Sequence, residues 1–322
     1  MRKIDLEKEI SSLKYLFSEN YGIKGVSIAS LRDSSDNLVF SVSSAKNKYI
    51  ARFSKKTTAK DILFELEFVS SLRKNDFPSP EIIPTISQNK FCLYGNIFVC
   101  VLFRFYEGIV IDKNTQNIIN YTRLAGENLG ILHTISEKIK IKTPRKRNII
   151  TELERAIEKK DIFTSEFNDG NLFIEKIKWA INFSKKEGNN SPGGIIHNDY
   201  RMHNLIFTNS PMIEVVLDFD WSCPGPFIKD VALALVEWSF PDGDEQPNLD
   251  ILKSFLDAYN KTCPAKIFLD EKMYDWIKFS CLSDASTYFC DRINNKNLKK
   301  DIRKSYMYQK YKYFNQLSSA RK

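Results

Sequence analysis

Residues 195–207 read IIHNDYRMHNLIF, a stretch that holds two of the chain's three histidines, His197 and His203, around Asp199 and Asn204. The segment after it decides how it is read. NLIF (204–207) and IEVVLDFD (213–220) are apolar runs on either side of the turn-rich TNSPM, so they predict a β-hairpin with its tip near Ser210. Such a hairpin brings Asn204, which enters the first strand, beside Asp218, which leaves the second. Asp199 lies five residues before Asn204 in a loop and can reach the same place.

A carboxylate, an amide oxygen and a second carboxylate form a hard oxygen set of the kind that suits magnesium, usually held by one or two carboxylates plus substrate phosphates. Asn204 and Asp218 are then the candidate metal ligands. Asp199 is left to accept the proton of an attacking hydroxyl during phosphoryl transfer. The order of His197, Asp199, Asn204, Asp218 and Phe219 follows the kinase catalytic loop, His-x-Asp-x-x-x-x-Asn, and a later Asp-Phe that binds magnesium. Two other readings of the same residues stand beside it. One is a transition-metal site of His197, Asp199 and His203, although no helical spacing orients His203. The other is structural, with the histidines bonding neighbouring carbonyls; His197 fits a structural role in the kinase reading as well.

Upstream, Leu6, Ile10, Leu13 and Phe17 recur at helical steps, with Asp5 as an N-cap. GVSIASL, NLVFSV and KYIARF follow as short strands separated by turns. A helix over TTAKDILFELEFVSSLRKN is stopped by FPSPEIIP, because proline lacks the backbone donor and disfavours helix in the residue before it. Strands around IIPTI and GNIFVCVLFRF complete a lobe over residues 1–103. From Gln116 the chain reads as helical, apart from the short β insert, so residues 104–322 form a second, mostly helical lobe carrying the catalytic loop and a substrate pocket.

The chain has 322 residues, 43% of them apolar, enough for a two-lobed fold with a substantial core. Six scattered cysteines without a CxxC pair read as reduced, buried thiols. No apolar run approaches bilayer length, and the N-terminal MRKIDLEKEISSLKYLF lacks an apolar export segment, which predicts a cytoplasmic protein. The net charge of +8 lies in the tail, where residues 296–322 carry nine Lys or Arg against a single acid, Asp301. Ile302, Tyr306, Tyr313, Phe314 and Leu317 recur there at roughly helical spacing, so the tail reads as a terminal helix that docks an aromatic face and leaves its basic side in water. No recognised nucleic-acid-binding module accompanies the charge.

IIHNDYRMHNLIF together with VVLDFDWSCPGPFIKDVALALVEW resembles the aminoglycoside phosphotransferase and choline kinase group, which also contains a homoserine kinase type. The resemblance implies an α+β, bilobal protein-kinase-like fold with a small antiparallel-sheet N-lobe and a larger helical C-lobe. It also implies ATP and Mg2+ as cofactors, Asp199 as catalytic base, Asn204 and Asp218 as magnesium ligands, and Asp220 as a second acidic group beside the metal. Asp230 would be a structural or substrate-side carboxylate. In the N-lobe, YIARF resembles the strand that touches the nucleotide phosphates through Arg52, FELEFVSSL resembles the helix bearing its glutamate partner, Glu65 in preference to Glu67, and NLGILH resembles the family's Leu-Gly-x-Leu-His helix. Backbone groups of the Val101–Arg104 segment, Val101 and Phe103 among them, would meet adenine.

Three departures bear on the function. Arg52 stands where lysine is commoner, and a guanidinium still binds phosphate in two-pronged fashion. LRDSSDNLVF has no glycine, so Ser34 and Ser35 hydroxyls would take the place of bare backbone over the phosphates. Asn198 replaces the loop's usual glycine. For the acceptor, the family implies carboxylates and aromatics facing the loop, with Glu237, Trp238, Asp242, Asp244 and Asp284 as candidates against an ordinary role for each as solvated acid or core aromatic. The expected activity is transfer of a γ-phosphate to a hydroxyl of an amino alcohol, aminoglycoside or homoserine-like acceptor. A catalytically silent nucleotide- or ligand-binding protein of the same fold is the alternative.

Overall fold

The computed structural model describes residues 6–33, 37–55, 58–240 and 246–320. The chain folds as two compact units. The first comprises residues 1–108, 140–146 and 214–220, and the second comprises 109–139, 147–213 and 221–322. The boundary expected after residue 103 thus falls later, and two short returning segments join the first unit.

In the first unit, α1 (Leu6–Tyr21) precedes β1 (Ser27–Asp33), β2 (Asn37–Ser43) and β3 (Lys48–Lys55), then α2 (Ala59–Arg73), β4 (Ile82–Ile83), β5 (Cys92–Tyr94) and β6 (Phe98–Arg104). Among the described residues these strands form one sheet of order β1-β2-β3-β6-β4, with β5 also on β6. The pairs with printed register are antiparallel. Period-two alternation sends Phe53, Phe98, Cys100 and Leu102 into a core with Leu13 and Phe17 of α1. Val99 and Val101 pack on the opposite face with Ile62 and Leu66 of α2. β4 is shorter than IIPTI suggested, because Pro84 cannot donate to a ladder.

The second unit is mainly helical. α3 (Ile118–Ser136), α4 (Thr151–Glu158), α5 (Lys160–Glu166) and α6 (Gly170–Glu187) lead to β7 (Gly193–Ile196), the segment 197–204 and β8 (Leu205–Phe207). β8 and β9 (Ile213–Val216) form the predicted hairpin, at which the chain passes into the first unit. β10 (Cys223–Pro226) pairs antiparallel with β7, a small sheet beyond the one short β insert expected. α7 (Phe227–Ser239), α8 (Leu249–Thr262), α9 (Glu271–Arg292) and α10 (Tyr306–Ala320) complete it. α3 and α8 approach closely because Gly126 and Gly130 are bare: a Cβ on Gly130 would stand 2.1 Å from Thr262 Oγ1 and 2.8 Å from the Tyr259 carbonyl oxygen. α10 docks its aromatic residues as expected, with Tyr308, Tyr311 and Phe314 buried. Its Lys310 is buried too, which the expectation of a solvated basic side did not include.

Candidate active site

The loop after β7 is held from behind by a carboxylate. Asp230, in the first turn of α7, is fully buried. Its Oδ2 accepts the backbone N–H of His197 at 2.8 Å, and its Oδ1 accepts that of Asn198 at 2.8 Å. His133 of α3 donates from Nε2 to Asp230 Oδ2 at 3.1 Å, while its Nδ1 meets the Tyr259 hydroxyl at 2.9 Å. Burial lowers the His133 pKa, so the ring is neutral. Burial would raise the Asp230 pKa, but the hydrogen bond from His133, together with nearby Lys229, holds it below the ordinary value, so the loop amides meet an anion. This corrects the substrate-side option for Asp230: both oxygens face the loop backbone and α3.

Asn198 has φ +67°, a left-handed conformation that glycine adopts freely and asparagine tolerates better than most residues. That is the physical reason a loop of this kind accepts either residue there. The side chain also finds partners: Nδ2 donates to the Trp221 carbonyl at 3.1 Å, and Oδ1 accepts from the buried Lys229 ammonium. His197 is fully buried and its Nδ1 accepts the Asp199 N–H at 3.2 Å, which fits a bracing residue. His203 is exposed, and among the described residues no group of three His, Cys, Asp or Glu is placed to hold a metal. The structure therefore gives the His197–Asp199–His203 reading no support.

Asp199 and Asn204 are brought together. Asn204 Nδ2 donates to the Asp199 backbone oxygen at 2.8 Å and to its carboxylate Oδ2 at 3.1 Å. With its amide nitrogen so used, Asn204 keeps its carbonyl oxygen for another partner. The Asp199 Oδ1 accepts from Arg201 Nε. Arg201 also reaches Asp284 from Nη2 at 2.5 Å and Glu237 from Nη1 at 3.4 Å. Burial opposes its charge, but Asp284, Asp199 and Glu237 outweigh that and raise its pKa well above the usual value. The sequence reading passed over Arg201 although it lies inside the quoted motif. A cation two residues after Asp199 was the available signal.

Of the acceptor-side candidates, Asp284 is partly open and Glu237 is nearly buried, both on Arg201. Trp238 is a core residue, 1% exposed, whose indole N–H points to the Tyr200 carbonyl at 3.3 Å; it is not placed to meet a substrate. Tyr200 in turn donates to the Ala125 carbonyl at 3.1 Å and lies 3.2 Å from Asn128 Oδ1. The helix read from NLGILH thus holds the loop through Asn128 and His133. Ser34, Ser35, Asp242 and Asp244 lie outside the described residues.

In the first unit, strand alternation turns Arg52 away from Ala51 and Phe53 toward α2. There it meets Glu65 in a two-pronged pair, Nη1 to Oε1 at 2.9 Å and Nη2 to Oε2 at 2.7 Å. Glu67 instead accepts from Thr143 at 2.7 Å, so Glu65 is the partner of Arg52. Burial opposes the Arg52 charge, yet Glu65 with Asp220 and Asp218 raises its pKa.

Asp218 and Asp220 belong to this unit, anchored by Phe219, which packs edge-on against Phe68 with centroids 5.8 Å apart. Asp218 takes φ +62°, an unusual conformation for an aspartate that aims the segment away from a regular strand. Asp220 Oδ2 accepts from Asn37 Nδ2 at 2.9 Å, its backbone oxygen accepts from Arg145, and its buried Oδ1 has no hydrogen-bond partner among the described residues. Arg52 Nε is likewise buried and unmatched. An unmatched carboxylate oxygen and an unmatched guanidinium donor are what a cation and a phosphate would satisfy, so the residues fit a metal-nucleotide complex.

Val101 and Phe103 do not fit the adenine role. They sit within β6 opposite Arg52 and Ile50, with β4 on the other edge. The sheet runs on past them, with Arg104 N–H on the Glu81 oxygen at 2.9 Å and Phe105 N–H on the Lys48 oxygen at 3.3 Å.

Residues 27–264 match the profile of the phosphotransferase enzyme family. The chain belongs to that family. A homoserine kinase of Caulobacter vibrioides is 25% identical over 260 residues, which cover 77% of each chain. An amicoumacin kinase in complex with AMP-PNP, Ca2+ and Ami superposes with a TM-score of 0.74 at 16% identity, covering 97% of this chain and 93% of that one. A microcompartment-associated aminopropanol kinase gives 0.71 at 16% identity, covering 97% and 98%. The fold of this phosphotransferase is the α+β protein-kinase-like fold that its relatives share, and the enzyme is a small-molecule kinase. No helix among its described residues is long and apolar enough to cross a membrane.

Proposed function

We propose that this phosphotransferase uses ATP and magnesium to phosphorylate a hydroxyl of a small amine-bearing molecule: an amino alcohol, an aminoglycoside or a homoserine-like compound. The observation that carries the reading is the pairing of Asp199 with Asn204 at 3.1 Å on a loop whose backbone is fixed by Asp230. Asp199 orients the acceptor hydroxyl and takes its proton as the oxygen attacks phosphorus, ending as the neutral acid. Asn204 and Asp218 hold magnesium, with Asp220 beside it, and Arg52, braced by Glu65, binds the nucleotide phosphates. When bound, the metal neutralises phosphate charge and orients the transferring group. The protein contributes mainly position and preorganised charge. The six cysteines, all reduced and buried, support a cytoplasmic setting.

An ADP-release assay over L-homoserine, 1-aminopropan-2-ol, choline, ethanolamine and kanamycin tests the reading. Asp199→Ala is expected to lose at least about 100-fold in turnover while keeping the thermal shift with magnesium and ATP. Asp218→Ala is expected to lose the magnesium-dependent part of that shift. Turnover by Asp199→Ala equal to wild type removes Asp199 as the base.

A further inference from the structure

Lys310 lies on α10, the terminal helix whose basic side was expected in water. It is 2% exposed. Lysine is almost never so deeply buried unless paired, and here the ammonium has a built seat. It lies 3.7 Å from the Tyr306 ring centroid and 5.0 Å from that of Phe240, with the Val236 carbonyl at 3.4 Å. Its carboxylate partner is Glu237, whose Oε1 is 3.7 Å away and makes no hydrogen bond. The other oxygen of Glu237 faces Arg201 at 3.4 Å, and Arg201 grips Asp199 and Asp284.

We infer that Lys310 is a positioning residue for phosphoryl transfer: through Glu237 it fixes the Arg201 guanidinium that orients the Asp199 carboxylate. The inference rests on the kinase reading above for the role of Asp199.

The charges explain the arrangement. Glu237 is 8% exposed, and a carboxylate so placed needs cations beside it. Arg201 pairs with Asp199, Asp284 and Glu237 on one positive charge, while Lys229 acts on Asp199 and Asp284 through space. Lys310 supplies a second cation behind Glu237, so that Arg201 is not drawn back onto it and away from Asp199. Without that charge, Glu237 competes for Arg201, which changes where the guanidinium sits. The aromatic walls fix the ammonium laterally, so the C-terminal helix is part of the apparatus that sets the catalytic loop.

The full-length chain is compared with Lys310→Met, which keeps much of the side chain's bulk, and Lys310→Arg, which keeps the charge. The Arg201 Nε–H resonance, assigned by its loss in Arg201→Lys, reports the guanidinium directly and needs no acceptor. In Lys310→Met it should shift and exchange with solvent at least about tenfold faster, and Lys310→Arg should restore it. With any acceptor from the panel that turns over, Lys310→Met should lower kcat about tenfold with the KM for ATP unchanged, and Lys310→Arg should recover most of the loss. Glu237→Gln provides the same resonance test if Lys310→Met does not fold. An Arg201 resonance that does not move in Lys310→Met, or in Glu237→Gln in its place, overturns the inference. Failure of the kinase reading shows separately, as a wild-type protein whose melting temperature ignores magnesium and ATP.

Discussion

Arg52 and Glu65 face each other inside the first unit as a parallel two-pronged ion pair, 2.9 and 2.7 Å long, between β3 and α2. Because Arg52 is 7% exposed and Glu65 3%, removing one partner leaves the other charge buried. Glu65→Ala is expected to lower stability by about 3 kcal/mol in urea unfolding, more than the double variant with Arg52→Met. It should also weaken nucleotide binding in calorimetry, since Arg52 loses the group that orients it.

Asp230→Asn should loosen the catalytic loop. An amide can accept on only one side, so at least one of the His197 and Asn198 N–H groups would face another donor, at a cost of about 2 kcal/mol or more. Because the folded Asp230 has a lowered pKa, its stabilisation is present above its ordinary value of 3.8 and is lost as pH falls through the folded value. The variant should therefore show a flatter acid limb in its stability profile, measured by thermal unfolding from pH 3 to pH 7.

Position 198 separates backbone from side-chain effects. Asn198→Ala must adopt φ +67° without help and strips Lys229 of an acceptor, whereas Asn198→Gly incurs only the second loss. Glycine should be the milder substitution by about 1 kcal/mol in chemical denaturation. Equal losses would mean that the backbone conformation contributes nothing.

Lys310 should leave a signature at alkaline pH. Burial lowers its pKa to about 8 despite Glu237, against 10.5 for the ordinary side chain. Between those values the unfolded chain keeps a proton that the folded chain has released, so stability gains with rising pH. The stability of wild type relative to Lys310→Met should rise between pH 8 and pH 10.5 by up to about 3 kcal/mol, measured by urea unfolding at each pH. A constant difference would place the lysine pKa near its usual value in the fold.

Much of this was legible beforehand because the signals were local. The strand and helix periods of the first unit, the proline stop after α2 and the hairpin at 204–220 all come from neighbouring residues. The family resemblance preferred Glu65 to Glu67, and the structure pairs it with Arg52. β5 and β10 escaped notice because three or four residues, one pair of them prolines, carry no period of their own. The adenine assignment to Val101 and Phe103 failed because strand length depends on partners: β4 and β3 keep those residues inside the sheet.

The sequence by itself determined the reaction class of this protein, since Asp199, Asn204 and Asp218 at fixed separations are a chain-local pattern. It also determined which lobe would be sheet and which helix. Only the tertiary structure decided what each charged side chain does. Asp230 became a brace, Trp238 a core residue and Arg201 the hub of three carboxylates, while Lys310 left a solvated tail for a buried seat 73 residues from its partner Glu237. The reason is physical: a charge near its partner in sequence can be foreseen from spacing, but the burial that makes a distant pairing strong arises only when helices far apart in the chain pack together.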